Sequence, residues 1–216
     1  RPLIAAVLVA CAGCSGGPDD PGSGTGTLAV GAEGVIAADF TDVDLEVRAR
    51  GVPVVDAVIT LRDVEGGETT EARSLADGVY RARLSGAARV LRLDVQAGED
   101  ALSAGIGGPR AFTITRPPEG ALVRVGDAGR LLVEWVRPDE EPIDEVTLEL
   151  FGEDNLPEAT ERLDGDPGRG RVALPAAQGR FRAVVTRTDI VPLAGGVDGS
   201  EIRLSRSARV GFELRP

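Results

Sequence analysis

The only thiols in this 216-residue sequence belong to Cys11 and Cys14. A Cys-x-x-Cys pair can act as a redox site, but that motif needs a strand before it and a helix after it. Here a Ser-Gly-Gly-Pro stretch follows the pair, while one positive residue and an apolar run precede it. A charged start, a short apolar middle and small residues are the layout of a secretory signal. The alternative is a buried N-terminal strand in which both cysteines are incidental.

The letters LVAC, which end at Cys11, resemble the lipobox of bacterial lipoproteins, in which the cysteine is acylated and becomes the new N-terminus. Ala10 and Leu8 stand where the lipobox needs a small residue and a leucine. Cys14 is the alternative acylation site, because Gly13 is also small and cleavage there gives a longer signal. In that alternative, Cys11 would occupy the leucine position.

This resemblance implies a lipid-anchored protein of the cell envelope. The residue after the cysteine is Ala12 or Ser15, and neither is the Asp that retains such lipoproteins in the inner membrane. The implied location is therefore the outer membrane, with its periplasmic or surface face left open. The apolar run over residues 3–10 is too short for a membrane-spanning helix, which needs roughly 20 residues. We expect the signal segment, residues 1–14, to attach the chain to the membrane through lipid alone.

A second set of reactive groups is a run of carboxylates formed by Asp139, Glu140, Glu141, Asp144 and Glu145. An acidic loop of this kind could bind a cationic partner, or calcium, which takes oxygen ligands. The alternative is that these acids pair with arginines on neighbouring strands, each pair contributing about 0.2–1 kcal/mol.

One further stretch, Asp164-Gly165-Asp166, begins like the calcium-binding loop of an EF-hand. The motif fails, because its fifth and twelfth positions hold Gly168 and Pro175, which offer no carboxylate. We therefore expect no bound calcium.

The sequence contains no His and no Lys, which removes several kinds of catalysis. No Ser-His-Asp or Cys-His arrangement can form, and no lysine can form a Schiff base. A zinc site with nitrogen or sulfur ligands is excluded outside the cysteine pair. Two carboxylates could still act as general acid and base, but nothing in the pattern marks a cleft, so we expect no enzyme and no cofactor. The net charge of −11 repels phosphate backbones, so nucleic acid is not an expected partner.

The elements that must position these groups are short strands. Residues 15–27 are rich in Gly, Ser, Pro and Asp, which predicts a disordered tether. Beyond it, apolar and polar residues alternate in short runs broken by glycine turns, a spacing typical of an antiparallel β-sandwich. Pro117 and Pro118 cannot continue a ladder, so a joint is expected there. We predict an all-β chain with two tandem antiparallel β-sandwich, immunoglobulin-like domains over residues 28–115 and 116–216.

Two pieces of the first unit resemble carboxypeptidase-regulatory-like and transthyretin-like bacterial modules. Gly51 to Leu61 is similar to their "G-x-P-V-x-x-A-x-V-x-L" opening, and Ala76 to Leu84 is similar to their "D-G-x-Y-x-x-x-L" strand. The resemblance implies a spacer or binding module without catalytic residues.

In the second unit, the stretch from Gly126 to Val136 and the following Arg-Pro resemble the tryptophan-bearing strand of fibronectin type III and related envelope sandwich domains. Phe181 stands where those domains carry a corner tyrosine. We expect Trp135 to pack between the two sheets rather than to form a ligand platform.

The anchor, the module types and the missing catalytic side chains together predict a non-catalytic, lipid-anchored cell-envelope protein. We expect it to act as a tethered spacer and protein-interaction module whose partner is an envelope or extracellular protein. Contacts should map to sheet edges or to the loops at 137–145 and 189–200. The alternatives are a calcium-dependent adhesin, a wall- or polysaccharide-binding module, and a carboxylate-based hydrolase accessory.

Lipidation is directly testable. Labelling of cells with a fatty-acid analogue should tag the protein, and Cys11→Ser should abolish the tag because it removes the acylated sulfur. Cys14→Ser is the matched control and should leave the tag in place. Loss of the tag in Cys14→Ser alone would assign the acylation site to Cys14. Absence of the tag from the wild-type protein would exclude the lipid anchor.

Overall fold

The computed structural model describes residues 23–124, 129–138 and 143–215. Across these ranges the chain forms strands, turns and loops without a helix. Accordingly, the described part of the chain offers no helix that is long and apolar enough to cross a membrane. The predictions that fall outside the described residues concern the signal segment, most of the tether and part of the acidic loop: Cys11, Cys14, residues 15–22, Asp139, Glu140 and Glu141.

The first ten described strands are β1 (Ser23–Gly24), β2 (Leu28–Ile36), β3 (Phe40–Ala49), β4 (Val52–Pro53), β5 (Val58–Asp63), β6 (Thr69–Glu71), β7 (Arg73–Ala76), β8 (Val79–Ser85), β9 (Val90–Ala97) and β10 (Asp100–Gly107). One sheet has the order β1-β10-β9-β5-β6. Facing it, β2, β3, β8 and β7 are neighbours in a larger sheet, and the short β4 pairs with β3.

Eight strands follow: β11 (Ile114–Arg116), β12 (Ala121–Arg124), β13 (Arg130–Trp135), β14 (Glu145–Phe151), β15 (Pro157–Asp164), β16 (Arg169–Ala173), β17 (Gly179–Pro192) and β18 (Glu201–Arg215). A three-stranded sheet, β11-β13-β16, faces β15-β14-β17-β18, and β12 pairs in parallel with the end of β18. The three-stranded sheet thus faces a sheet that ends in the β17–β18 pair. This arrangement of strands is immunoglobulin-like. The predicted all-β, immunoglobulin-like sandwich fold is confirmed.

The alternation of apolar and polar residues explains why these segments are strands. Along β3, Val43, Leu45 and Val47 are buried while the acids between them face outward. Since side chains alternate between the two faces of a strand, one face enters the core and the other meets water. Full burial of one such side chain stabilises the fold by about 1.5–3 kcal/mol.

The two motif pieces of the first sandwich meet at one buried tyrosine. The Tyr80 hydroxyl donates to the carbonyl oxygen of Val54 at 2.7 Å and accepts from the amide of Ala57 at 3.0 Å. The turn before it needs glycine, because Gly78 has a φ of +73° and a Cβ there would lie 2.8 Å from the Cβ of Pro53. The Asp-Gly-x-Tyr piece therefore holds the Gly-x-Pro piece against the first core.

Buried apolar side chains form two clusters. The first is almost entirely aliphatic and includes Ile59, Leu61 and Leu91. The second contains Trp135, whose ring lies over Gly170, and the stacked rings of Phe181 and Phe212, with centroids 6.1 Å apart. The prediction that Trp135 is a core residue is confirmed.

The β17–β18 hairpin contributes to both clusters. It is paired without interruption from Gly179 with Leu214 to Pro192 with Glu201. Near its turn, Leu193, Ile202 and Leu204 pack into the first cluster, whereas its other end packs into the second. The residues 201–205 of β18 also pair in parallel with β2. A single sheet of ten strands thus continues from one sandwich into the other.

The predicted division at residues 115 and 116 stays a prediction, because clusters of buried side chains do not by themselves define units that fold alone. The strand that contains this division, β11, pairs with β13, and Ile114 packs into the second cluster. The hairpin end near Leu193 packs into the first cluster.

The continuous sheet predicts a fixed distance between the two sandwiches. Spin labels on cysteines introduced at Glu99 and Glu153, in a Cys11→Ser/Cys14→Ser background, should give one narrow distance peak in pulsed electron resonance. Replacing Ser205 and Ser207 by proline should broaden the peak, because proline removes ladder hydrogen bonds.

Prolines at the exposed loop residues Ala176 and Ala177 provide the matched control and should leave the peak narrow. A broad distribution in the wild-type background would show that the hairpin does not fix the two sandwiches.

Candidate functional site

Two residues of the predicted acidic loop lie within the described ranges, and both bind the hairpin. The Asp144 carboxylate accepts from the amide of Ile190 at 2.7 Å. Glu145 accepts from the guanidinium of Arg203 at 2.9 Å. This hydrogen bond from Arg203 to Glu145 raises the pKa of the guanidinium above its ordinary value. The pair is partly exposed, so it contributes little to stability.

The second predicted contact loop, residues 189–200, is docked on the first sandwich. Leu193 is buried in the first cluster. The Ser200 hydroxyl accepts from the amide of Val30 at 3.2 Å. The backbones of Gly195 and Gly24 are in close contact. A Cβ added to Gly195 would lie only 2.3 Å from the Gly24 nitrogen, so a larger residue does not fit there. The structure therefore places much of this loop in intramolecular contacts and brings its start beside Asp144.

A buried ion pair lies between the hairpin and the three-stranded sheet. The Arg187 side chain is fully buried and donates from Nε to Oδ2 of Asp166 at 2.8 Å, and the Asp166 side chain is only 5% exposed. The other carboxylate oxygen, Oδ1, accepts from the indole nitrogen of Trp135 at 2.7 Å and from the amide of Gly168 at 3.2 Å. One carboxylate thus orients the tryptophan, the turn before β16 and the arginine.

The chain that links the two sandwiches is attached to the same arginine. Nη1 of Arg187 donates to the carbonyl oxygen of Arg110 at 3.4 Å. The guanidinium carbon lies 5.3 Å from the ring centroid of Phe112, within cation–π range. Across the ladder, Arg206 stands opposite Arg187, and burial lowers its pKa. The connection, the hairpin and the second core therefore meet at Arg187.

Sequence reasoning missed this pair, although a signal was present. Phe181, Ala183 and Val185 alternate as buried residues of β17, and the next position of that face is Arg187. A charged residue at an inward position, together with a buried indole that needs an acceptor, indicates a buried carboxylate. Nothing in the pattern identifies Asp166 as that carboxylate.

On the outer face of the ten-stranded sheet, charges are matched across strands. Asp44 and Arg81 face each other between β3 and β8, and Oδ1 of Asp44 lies 2.6 Å from Nε of Arg81. This hydrogen bond lowers the pKa of Asp44. Among the described residues there is no group of three or more His, Cys, Asp or Glu that could hold a metal ion.

No protein-family model matches the chain, and no curated protein matches it. Solved structures resemble it weakly. Fibronectin(III)-like modules of Clostridium thermocellum CbhA match with 15% identity and a TM-score of 0.34, over 90% of this chain and 94% of that one. Chicken CNTN1 FN1-FN3 domains match with 9% identity and a TM-score of 0.33, over 83% and 68%.

The Yersinia pseudotuberculosis adhesin InvE matches with 16% identity and a TM-score of 0.28, over 87% of this chain. The chain covers 60% of that adhesin's length. At these TM-scores the similarities carry no argument about what this chain does, and the fold rests on its own strand order.

The buried pair predicts a large and non-additive loss of stability. Asp166→Asn leaves the buried Arg187 charge uncompensated and should lower the free energy of unfolding by about 3–5 kcal/mol. Combining it with Arg187→Met should cost less than the sum of the single changes, because the orphaned charge is removed with its partner. Urea unfolding measures all three variants.

Arg81→Met is the matched control, since it breaks the exposed pair with Asp44 and should cost below about 1 kcal/mol. Equal losses in Asp166→Asn and Arg81→Met would contradict the role given to the buried pair.

Proposed function

We propose that this chain is a non-catalytic protein of the cell envelope that is held by lipid at Cys11, or alternatively at Cys14. Its two sandwiches serve as a tethered spacer and as a protein-interaction module. The expected location is the outer membrane, and the expected partner is an envelope or extracellular protein.

The observation that carries the proposal is the hairpin that spans both cores. β17 has 14 residues and therefore extends about 46 Å at roughly 3.3 Å per residue. A hairpin of that length, packed at both ends, holds the two sandwiches in one relation to each other. A body that keeps its shape is what a spacer needs, because it keeps a binding surface at a set distance from its anchor.

An interaction role is supported by what the surface offers. Val136, next to the predicted acidic loop, is 53% exposed, and Leu156, in the turn between β14 and β15, is 63% exposed. β15 is an edge strand whose outer backbone groups could pair with an added strand. These features lie on the second sandwich, whereas the tether enters the first sandwich at β1.

Photo-cross-linking tests the proposal in the native envelope. A photoreactive amino acid at Val136 and, separately, at Asp198 should capture one recurrent protein partner. The matched control is the same group at Glu99, on a turn of the first sandwich, which should capture far less. Cys11→Ser should reduce capture, because the released protein no longer faces its partner.

Capture of peptidoglycan or polysaccharide alone would favour a wall-binding role instead. Capture of nothing from either position would contradict the interaction role and leave a bare spacer.

A further inference from the structure

The outward face of the three-stranded sheet is rich in arginine. Strand register places four arginines on it with a single acid, Glu134, which stands between Arg116 on β11 and Arg169 on β16. Leu132 lies opposite Arg171 at its centre. We call this surface the arginine face; its members are Arg116, Arg130, Leu132, Glu134, Arg169 and Arg171.

The arginine face concentrates positive charge on one small surface. Elsewhere several exposed arginines pair with a carboxylate, as Arg48 does with Glu46 and Arg215 does with Glu213. On the arginine face, Arg130 is paired with Glu161 of β15. Its neighbours Arg116, Arg169 and Arg171 are exposed and form no ion pair with any described residue. A local positive charge therefore stands on a molecule whose net charge is −11.

The shape of the face adds an apolar element. A depression of about 360 Å³ is lined by Leu132, Gly170, Arg169 and Arg171. Leu132 is half-buried beside Arg169 and Arg171. An apolar side chain flanked by charged groups resembles the apolar core and polar rim of protein–protein interfaces.

We propose that the arginine face docks an acidic polypeptide segment that carries an apolar side chain between carboxylates. The proposal deepens, and rests on, the interaction role given above. Guanidinium groups bind carboxylates in a bidentate manner, and the fixed geometry of strands holds several of them in place. A polyphosphate or an acidic glycan would satisfy the arginines but would leave Leu132 without an apolar contact. The combination therefore favours a polypeptide.

A defined probe tests this on the full chain. The labelled peptide Asp-Glu-Leu-Glu-Asp should bind in fluorescence anisotropy. Arg169→Glu/Arg171→Glu should weaken its binding by about tenfold or more, since two attractive contacts become repulsive. Arg48→Glu/Arg215→Glu is the charge-matched control and should change binding less than about twofold. Circular dichroism and melting establish that each variant is folded.

Two further comparisons test the apolar centre. The peptide Asp-Glu-Ser-Glu-Asp should bind at least about threefold more weakly than the leucine peptide, because it cannot bury a leucine side chain. In Leu132→Ser the two peptides should bind alike. Equal binding of both peptides to the wild type, or competition by polyphosphate as strong as by the leucine peptide, would overturn the proposal in favour of an unselective anion site.

The remaining outcomes are also decisive. Absence of saturable binding, or equal loss in the control double variant, would overturn the proposal. Sedimentation that shows wild-type self-association, abolished by Arg169→Glu/Arg171→Glu, would overturn it by making a second copy the occupant. If cross-linking from Val136 and Asp198 captures a partner while the peptide does not bind, this inference fails and the interaction role stands. If the peptide binds and no partner is captured, the interaction role fails.

Discussion

The backbone hydrogen bonds of β18 are the constraint on which the rest of the molecule depends. One edge of this strand pairs with β17 along its whole length, and the other edge takes β2 near its start and β12 near its end. Because buried amide and carbonyl groups must be paired, neither β2 nor β12 can shift without breaking a ladder. The two sandwiches therefore take their relative placement from one strand, and the surfaces that they present are fixed by it.

The buried Arg187–Asp166 pair is placed where that shared strand system meets the connection between the sandwiches. Burying two charges costs several kcal/mol per ion in desolvation, and mutual attraction offsets this only with good geometry and further hydrogen bonds. Asp166 has those bonds from Trp135 and from the Gly168 amide. Three structural parts must be correctly placed before the carboxylate is satisfied. We offer as a hypothesis that the pair selects one arrangement of the joint over others that would bury similar apolar area.

Much of the fold followed from alternation in the sequence, because period-two burial is a local property. The runs through Leu45, Leu93, Val133 and Leu148 became buried strand faces for that reason. Partner choice is not local: nothing in residues 201–205 indicates that they pair in parallel with β2, far away in the chain. The acidic loop was predicted from charge alone, which cannot show that Asp144 and Glu145 satisfy partners on the hairpin. The arginine face also needed strand register, since its members are separated by up to 55 positions from Arg116 to Arg171.

The parallel pairing of β18 with β2 has a consequence for the order in which the chain can fold. The Val30 amide bonds the Ser200 hydroxyl across 170 positions of sequence, so the first sandwich lacks an edge strand until the C-terminal hairpin arrives. Contacts between residues so far apart in sequence slow folding, because the chain loses loop-closure entropy before these contacts can stabilise it. A chain that emerges N-terminus first would present the open edge of β2 in the meantime, and open edges invite pairing with other chains. For such a protein, a hairpin made 170 positions later decides when β2 becomes safe from aggregation.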